Sequence, residues 1–302
     1  MATDADIAAR RMRAVVLMLA CVGVFSLMDA VLKTLSAHYP AFQVAALRGG
    51  ASLPFLLAWA AATIGLRPLL RARWSLHLLR GALGIMMMAS FVYALRTLPL
   101  STAYAVFFVA PLMITALSVP FLREHVGPGR WIAIAVGFAG VLVVLRPGVG
   151  GIASLAGGAV LLAALGYAVS AITVRVLART DSTQAMVVWL MALMAVGAGL
   201  LAWPHWQPLQ GAHLWLVVAL GAAGALAQYL ITEAFRLGEA SLLAPLEYTA
   251  LVWGVLWDAT LWGVLPDGAT WLGAAIIVAS GLYLVRREGA RAAAPSPPAP
   301  PP

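Results

Sequence analysis

The sequence predicts an all-α integral membrane protein, with ten transmembrane helices arranged as two inverted five-helix repeats. Three observations predict it. First, 63% of the 302 residues are hydrophobic and 10% are charged, against roughly 25% charged in a soluble domain. A water-soluble chain of this composition would expose more apolar surface than water tolerates. Second, the apolar residues gather into ten runs of about 20 residues, the length that crosses a bilayer. Third, residues 93–146 return 140 positions later as 233–286, with Ala94/Ala234, Arg96/Arg236, Ser101/Ser241, Trp131/Trp271 and Arg146/Arg286 in register without gaps. Apolar runs match by chance, so the paired arginines and tryptophans carry the weight. Five spans per copy is an odd number, so the second copy enters the membrane upside down relative to the first.

The spans are expected at 14–35, 41–63, 76–96, 99–121, 129–146, 154–177, 183–203, 212–235, 240–264 and 269–286. The first follows the basic cluster Arg10, Arg11 and Arg13. It is too long for a signal-peptide core and lacks a small-residue cleavage site. Short connections carrying Pro40, Pro68, Pro99, Pro128, Pro147, Pro204 and Pro266 separate the spans and leave no room for an extramembrane domain. The expected divisions are a cytoplasmic N-terminal tail (1–13), a first repeat (14–146), an inverted second repeat (154–286) and a cytoplasmic Pro-rich tail (287–302), disordered from 292. With the N-terminus inside, the basic loops fall on the cytoplasmic side and only Arg96 and Arg146 face outward, so both termini are expected inside. The net charge of +8 is thereby explained by orientation, and no nucleic-acid partner is implied.

The single cysteine, Cys21, excludes a disulfide within the chain and reads as a small buried hydrophobe. No phosphate-cradling loop occurs, since the glycines at 148–151 lack the Lys-Ser/Thr ending. No cofactor or metal is expected. His38, His77, His125, His205 and His213 are scattered at span ends, which argues against an enzyme.

The ten-span duplicated plan resembles the drug/metabolite transporter superfamily, in its ten-helix EamA-type branch. The phrases that carry the resemblance are FSLMDAVLKTLSAHYPAFQVAALR at 25–48, APLMITALSVPFLREHVGPGRWIAIAVGFAGV at 110–141, LAPLEYTALVWG at 243–254 and LPDGATWLGAAIIVASGLYL at 265–284. Together they are similar to the bacterial group that includes riboflavin and S-adenosylmethionine carriers. The resemblance also implies a Glu just before the Pro266-Asp267 pair, as Glu124 stands in the first half, and a Gly where this chain has Asp258. Here the second-half positions read Trp262-Gly263-Val264.

Ionisable groups inside spans need a reason, because one at the centre costs about 2.5–3.5 kcal/mol on insertion scales. Asp29 and Lys33 lie one turn apart on span 1, acid first, the favourable order for a helical ion pair. Arg48 lies at similar depth on span 2. The trio reads either as a gate or anion-holding cluster, or as a permanent pair locking span 1 to span 2. Pro245 removes a backbone donor in span 9, leaving Glu247, Tyr248 and Trp253 near broken backbone. Span 8 faces them with Gln228, Tyr229, Thr232 and Glu233. These read as a mixed aromatic and polar pocket with Glu247 as a cation or proton site. The alternative pairs Glu233 with Arg236 and sends Glu247 to cytoplasmic water. Asp258 has no charged neighbour at helical spacing and reads as an unpaired proton carrier, or as an acid bonded to backbone at the outer edge. Met86-Met87-Met88, Ser90 and Tyr93 on span 3, Tyr104, Phe107 and Phe108 on span 4, and Tyr167 and Ser170 on span 6 suit a cavity for flat or apolar solutes.

The substrate-binding candidates are therefore Glu247, Tyr248, Gln228, Tyr229, Trp253, Tyr93, Ser90, Tyr104, Tyr167 and Ser170. The gating or coupling candidates are Asp29, Lys33, Arg48, Asp258 and Glu233. Spans 1, 3, 4, 6, 8 and 9 are expected around the cavity, with the nearly apolar spans 5 and 10 outside it. The expected function is secondary active transport of a small organic metabolite across the bacterial inner membrane by alternating access, driven by protons or exchange. An amino-acid or drug exporter of the same superfamily is the nearest alternative. A membrane-embedded enzyme or a non-transporting scaffold is the alternative of another class. The partners are a small-molecule substrate and the lipid bilayer, and a monomer and a dimer are both open.

Overall fold

The computed structural model describes residues 4–70, 72–122, 127–146, 151–237 and 240–292. Among them there is no β-strand. The helices are α1 (Asp4–Ser36), α2 (Ala41–Thr63), α3 (Trp74–Leu95), α4 (Leu100–Phe107), α5 (Ala110–Leu122), α6 (Pro128–Leu145), α7 (Gly151–Leu177), α8 (Thr183–Ala202), α9 (Leu214–Leu237), α10 (Ala240–Leu243), α11 (Ala250–Leu261) and α12 (Gly268–Ala292). Nine spans among the described residues are long and apolar enough to cross a membrane, α4 and α5 counting as one. The protein is an all-α membrane protein.

Two helices outrun their apolar stretches. α1 starts at Asp4, inside the segment expected to be a tail, and α12 continues past Arg286 to Ala292. Ala and Arg are strong helix formers and carry both helices beyond the apolar zone. The rest of the Pro-rich tail lies outside the described residues, as do Glu124 and the loop around it.

Two spans are broken, both at proline. Pro111 has no N–H for the carbonyl of Phe107, so span 4 divides into α4 and α5 at Phe108–Val109. Span 9 divides further. α10 gives way to a 3-10 turn over Ala244–Thr249 that contains Pro245, and α11 follows. α11 stops at Trp262, where the amides of Trp262 and Val264 both bond the Asp258 carbonyl, at 3.2 and 3.0 Å. This turn requires Gly263 at φ +64°, a conformation that favours glycine.

The two halves pack through equivalent helices that run antiparallel. In α2 and α8, Gly49 faces the backbone of Met191 and Ala195, while Gln43 bonds Gln207 and Thr63 bonds Gln184. In α6 and α12, Gly140 faces Gly273 and Ile277, and Arg146 pairs with Asp267. In α4 and α11, Tyr104 meets Gly254 and Ser101 meets Asp258. The first two pairs join the same helix of both repeats, and the third joins the two broken spans, 4 and 9, through α4 of one and α11 of the other. No side chain separates the backbones at Gly49 and Gly140, and a Cβ at either would lie 2.6–3.0 Å from its neighbours.

The ends are tied by polar contacts. At the end where α1 finishes, Arg96 donates to the carbonyls of Ser36 and Tyr39 at 3.0 and 2.7 Å, satisfying the last turn of α1. At the end carrying the termini, His77 of α3 meets Asp181 of the α7–α8 connection at 2.8 Å. Burial alone would raise the Asp181 carboxyl. Hydrogen bonds from the Thr180 hydroxyl, His77 and the Arg73 amide outweigh it and hold the carboxyl below its ordinary range.

Candidate functional site

A cavity of about 440 Å³ lies between the halves, within the 300–1,000 Å³ typical of small-molecule sites. Its walls come from both repeats. α1 supplies Cys21, Phe25, Ser26 and Asp29; α2 supplies Arg48; α3 supplies Met87, Met88 and Phe91. Tyr104, Phe107 and Phe108 come from the α4 break, Tyr167 from α7, Gln228 and Ile231 from α9, and Glu247 and Tyr248 from the 3-10 turn. The lining extends to Met18 and Val285, near the end that carries the termini.

At the opposite end the cavity stops below a buried polar plug. Asp258 is wholly buried. Its carboxylate accepts from Lys33 Nζ at 3.1 Å, the Leu100 amide at 2.9 Å, the Ser101 amide at 2.7 Å and the Ser101 hydroxyl at 2.6 Å. Pro99, the N-cap of α4, offers no side-chain acceptor. Asp258 from the other repeat supplies it, placing negative charge at the positive end of the α4 dipole. The Lys33 ammonium also sits 4.4 Å from the ring centroid of Trp262.

Two expectations are corrected here. Asp29 and Lys33 do not pair. Asp29 accepts from the Tyr104 hydroxyl at 2.8 Å, while Lys33 reaches one turn farther to α11. Asp258 is not unpaired; helical spacing could not show partners that arrive from α1 and α4. The positions where the resemblance implies a Glu carry instead the Gly263 turn and the ring over Lys33.

Seven of the predicted site residues meet in the cavity: Asp29, Arg48, Tyr104, Tyr167, Gln228, Glu247 and Tyr248. Tyr93 does not, being 46% exposed. It lies two residues past Phe91, about 200° around the helix. Tyr229 turns outward for the same reason, one residue from Gln228. Ser90 and Ser170 are half-buried outside the lining. Trp253 packs on Gly23 of α1 and stacks on Trp257, whose Nε1 donates to Ser26 at 3.0 Å. Glu233 stands outside the lining, and the side chain of Arg236 is outside the described residues. Span 10 is expected outside the cavity, yet it contributes Val285; span 2, not among the six expected to line it, contributes Arg48. Of the aromatic wall, Phe107 and Phe108 are where the sequence places them, whereas Phe25 and Phe91 carry no signal beyond helical spacing within apolar runs.

Within the site, Glu247 has no hydrogen bond or ion pair among the described residues. Tyr248 projects across the bundle until its hydroxyl abuts Gly281 of α12, where it has no hydrogen-bond partner among the described residues. Tyr248 also packs edge-on against Phe108, with ring centroids 4.9 Å apart.

The fold and the site define a two-repeat helical membrane protein with a ligand-sized cavity at the interface of the repeats. The chain belongs to the EamA-like transporter family, whose model matches residues 12–146 and again 155–286. It is 34% identical to a riboflavin transporter of Vibrio cholerae over 75% of this chain and 76% of that protein. It is 30% identical to an S-adenosylmethionine uptake transporter of Rickettsia conorii, over 86% of this chain and 88% of that one. A crystal structure sharing 23% identity superposes with a TM-score of 0.64, covering 91% of this chain and 98% of its own. That likeness supports the fold.

Proposed function

We propose that this chain is a secondary active transporter that moves a small organic metabolite across the bacterial inner membrane by alternating access, with both termini cytoplasmic. The observation that carries the reading is a cavity built from both repeats, extending toward the terminal end and stopped at the other by the Asp258 plug. On this reading the state is open inward. Inverted repeats provide the route to the opposite state, because exchanging the conformations of the two halves moves the opening across the membrane. Glu247, an acid beside the cavity with no hydrogen bond or ion pair among the described residues, is the coupling candidate for a proton or a counter-substrate. The relatives point to riboflavin or S-adenosylmethionine as cargo, and the aromatic walls suit the flat ring system that each carries.

Uptake into proteoliposomes tests this. Labelled riboflavin and labelled S-adenosylmethionine should be offered with a pH gradient, without one, and against internal unlabelled cargo. Accumulation of one of them above empty vesicles is expected. Absence of uptake of both under all three conditions would overturn the reading.

A further inference from the structure

A pair of imidazoles lies outside the cavity, at the end where α1 finishes. His38 stands in the α1–α2 connection of the first repeat, and His213 ends the 3-10 turn Gly211–His213 that leads into α9 of the second. Their ring centroids are 4.5 Å apart, with planes inclined at 37°. Both rings are reachable from solution, His38 being exposed and His213 half-buried. The backbone on each side is fixed. The His38 amide bonds the Leu35 carbonyl at 3.0 Å, Arg96 donates to the Tyr39 carbonyl at 2.7 Å, and the His213 amide bonds the Gln210 carbonyl at 2.9 Å. The buried Tyr39 orients the second ring. Its hydroxyl oxygen lies 2.9 Å from His213 Nδ1 and accepts from the Gln210 amide at 3.1 Å. With Nδ1–H donating to that oxygen, His213 Nε2 keeps the lone pair that a metal takes.

We propose that His38 and His213 form a two-imidazole site for a divalent first-row transition metal such as zinc, which fastens the α1–α2 corner of one repeat to the start of α9 in the other. Imidazole is a ligand that such ions favour. With metal–nitrogen bonds of about 2.0–2.1 Å, two imidazoles on one tetrahedral ion have centroids roughly 5 Å apart, close to the spacing found. His213 is already held at its other nitrogen, so the exposed His38 ring is the one that turns to meet the ion. No third histidine, cysteine or carboxylate joins the pair among the described residues, and water fills the remaining positions. The two histidines belong to different repeats, so spacing along the chain could not pair them. The inference goes beyond the transporter reading and does not depend on it.

The test is calorimetric titration of zinc chloride into the untagged full-length protein in detergent, with backbone hydrogen exchange alongside. One zinc per chain is expected, together with slower exchange at residues 36–40 and 210–214. His38→Gln and His213→Gln should each abolish the binding heat while melting, without zinc, like the parent. Tyr39→Phe, which keeps the ring and loses the hydroxyl, should weaken zinc by about 10-fold, the scale of a lost outer partner. His205→Gln removes another exposed imidazole, on the loop between α8 and α9, and should bind like the parent. Magnesium, which prefers oxygen ligands, should give no heat. The proposal is overturned if the parent takes no zinc, if zinc binding survives in both histidine variants, or if zinc binds without slowing exchange on both sides of the seam. None of these readouts needs cargo, so uptake by proteoliposomes decides the transporter reading separately.

Discussion

Lys33 of α1 and Asp258 of α11 meet at 3.1 Å across the seam between the repeats, directly above the cavity. Their chain separation makes the pair a long-range clasp, and Asp258 also caps α4. Removing one member of a buried pair costs about 3–5 kcal/mol, because the other is left uncompensated.

Asp258→Asn should therefore loosen the closed end. Gln228→Cys in a Cys21→Ser background is expected to react with a membrane-impermeant maleimide from the terminal side alone. Adding Asp258→Asn should admit reagent from the opposite side as well. One-sided labelling that persists in the triple variant would show that the clasp does not gate the cavity.

Glu247→Gln removes a charge at nearly constant volume. Its melting temperature should stay close to that of the parent, while the pH dependence of uptake flattens. Transport identical to the parent across pH 5–8 would sink Glu247 as the coupling group.

Gly254→Val tests the close approach of α4 and α11. A Cβ there would lie 2.8 Å from the Tyr104 ring and 3.2 Å from the Ser101 backbone. Overpacking of this kind costs about 1–3 kcal/mol. The variant should melt below the parent and, by shifting Tyr104, weaken cargo binding through Asp29. A melting curve and affinity equal to those of the parent would contradict the geometry.

Asp181 offers a pH-dependent prediction at the terminal end. Its carboxyl is held below the ordinary range in the folded protein. Such a group contributes stability that is complete above its unfolded value, near about 3.9, and is lost as pH falls through the folded value. Asp181→Asn should thus melt lower than the parent at pH 7, and the gap should narrow on acidification below about pH 4. A gap constant down to pH 2 would show that the carboxylate's charge is not what stabilises this corner.

The fold was largely legible because lipid imposes a simple rule: each crossing must be a long apolar helix. The paired arginines and tryptophans then exposed the duplication. The breaks at Pro111 and Pro245 differ in visibility, since only the second carries polar neighbours that draw attention to it. The site was legible where a polar residue stood out against apolar surroundings, as with Asp29, Arg48, Gln228 and Glu247. It was not legible where helical phase decided the matter, so Tyr93 and Tyr229 were placed in a cavity they face away from. The partners of Asp258 were hidden for a different reason. They come from α1 and α4, over 150 residues away along the chain, and spacing along one helix carries no information about them.

Among the described residues, the plug has no equal at the other end of the molecule. Asp258 stands 140 positions after Ser118 in the gapless repeat. Ser118 does not reach for a neighbouring helix; its hydroxyl turns back to the Thr115 carbonyl of its own helix, at 2.9 Å. One end thus closes with an ion pair and a cap, while the corresponding position at the other end has only a self-satisfied hydroxyl. Two mirror-related states of such a molecule, which the proposed mechanism requires, would not be isoenergetic. On the alternating-access reading proposed above, the empty protein would rest facing the compartment that holds its termini, and cargo from the far side would wait for the costlier face to appear. On that reading, uptake and release would differ in rate through a single acid-for-serine difference between the repeats.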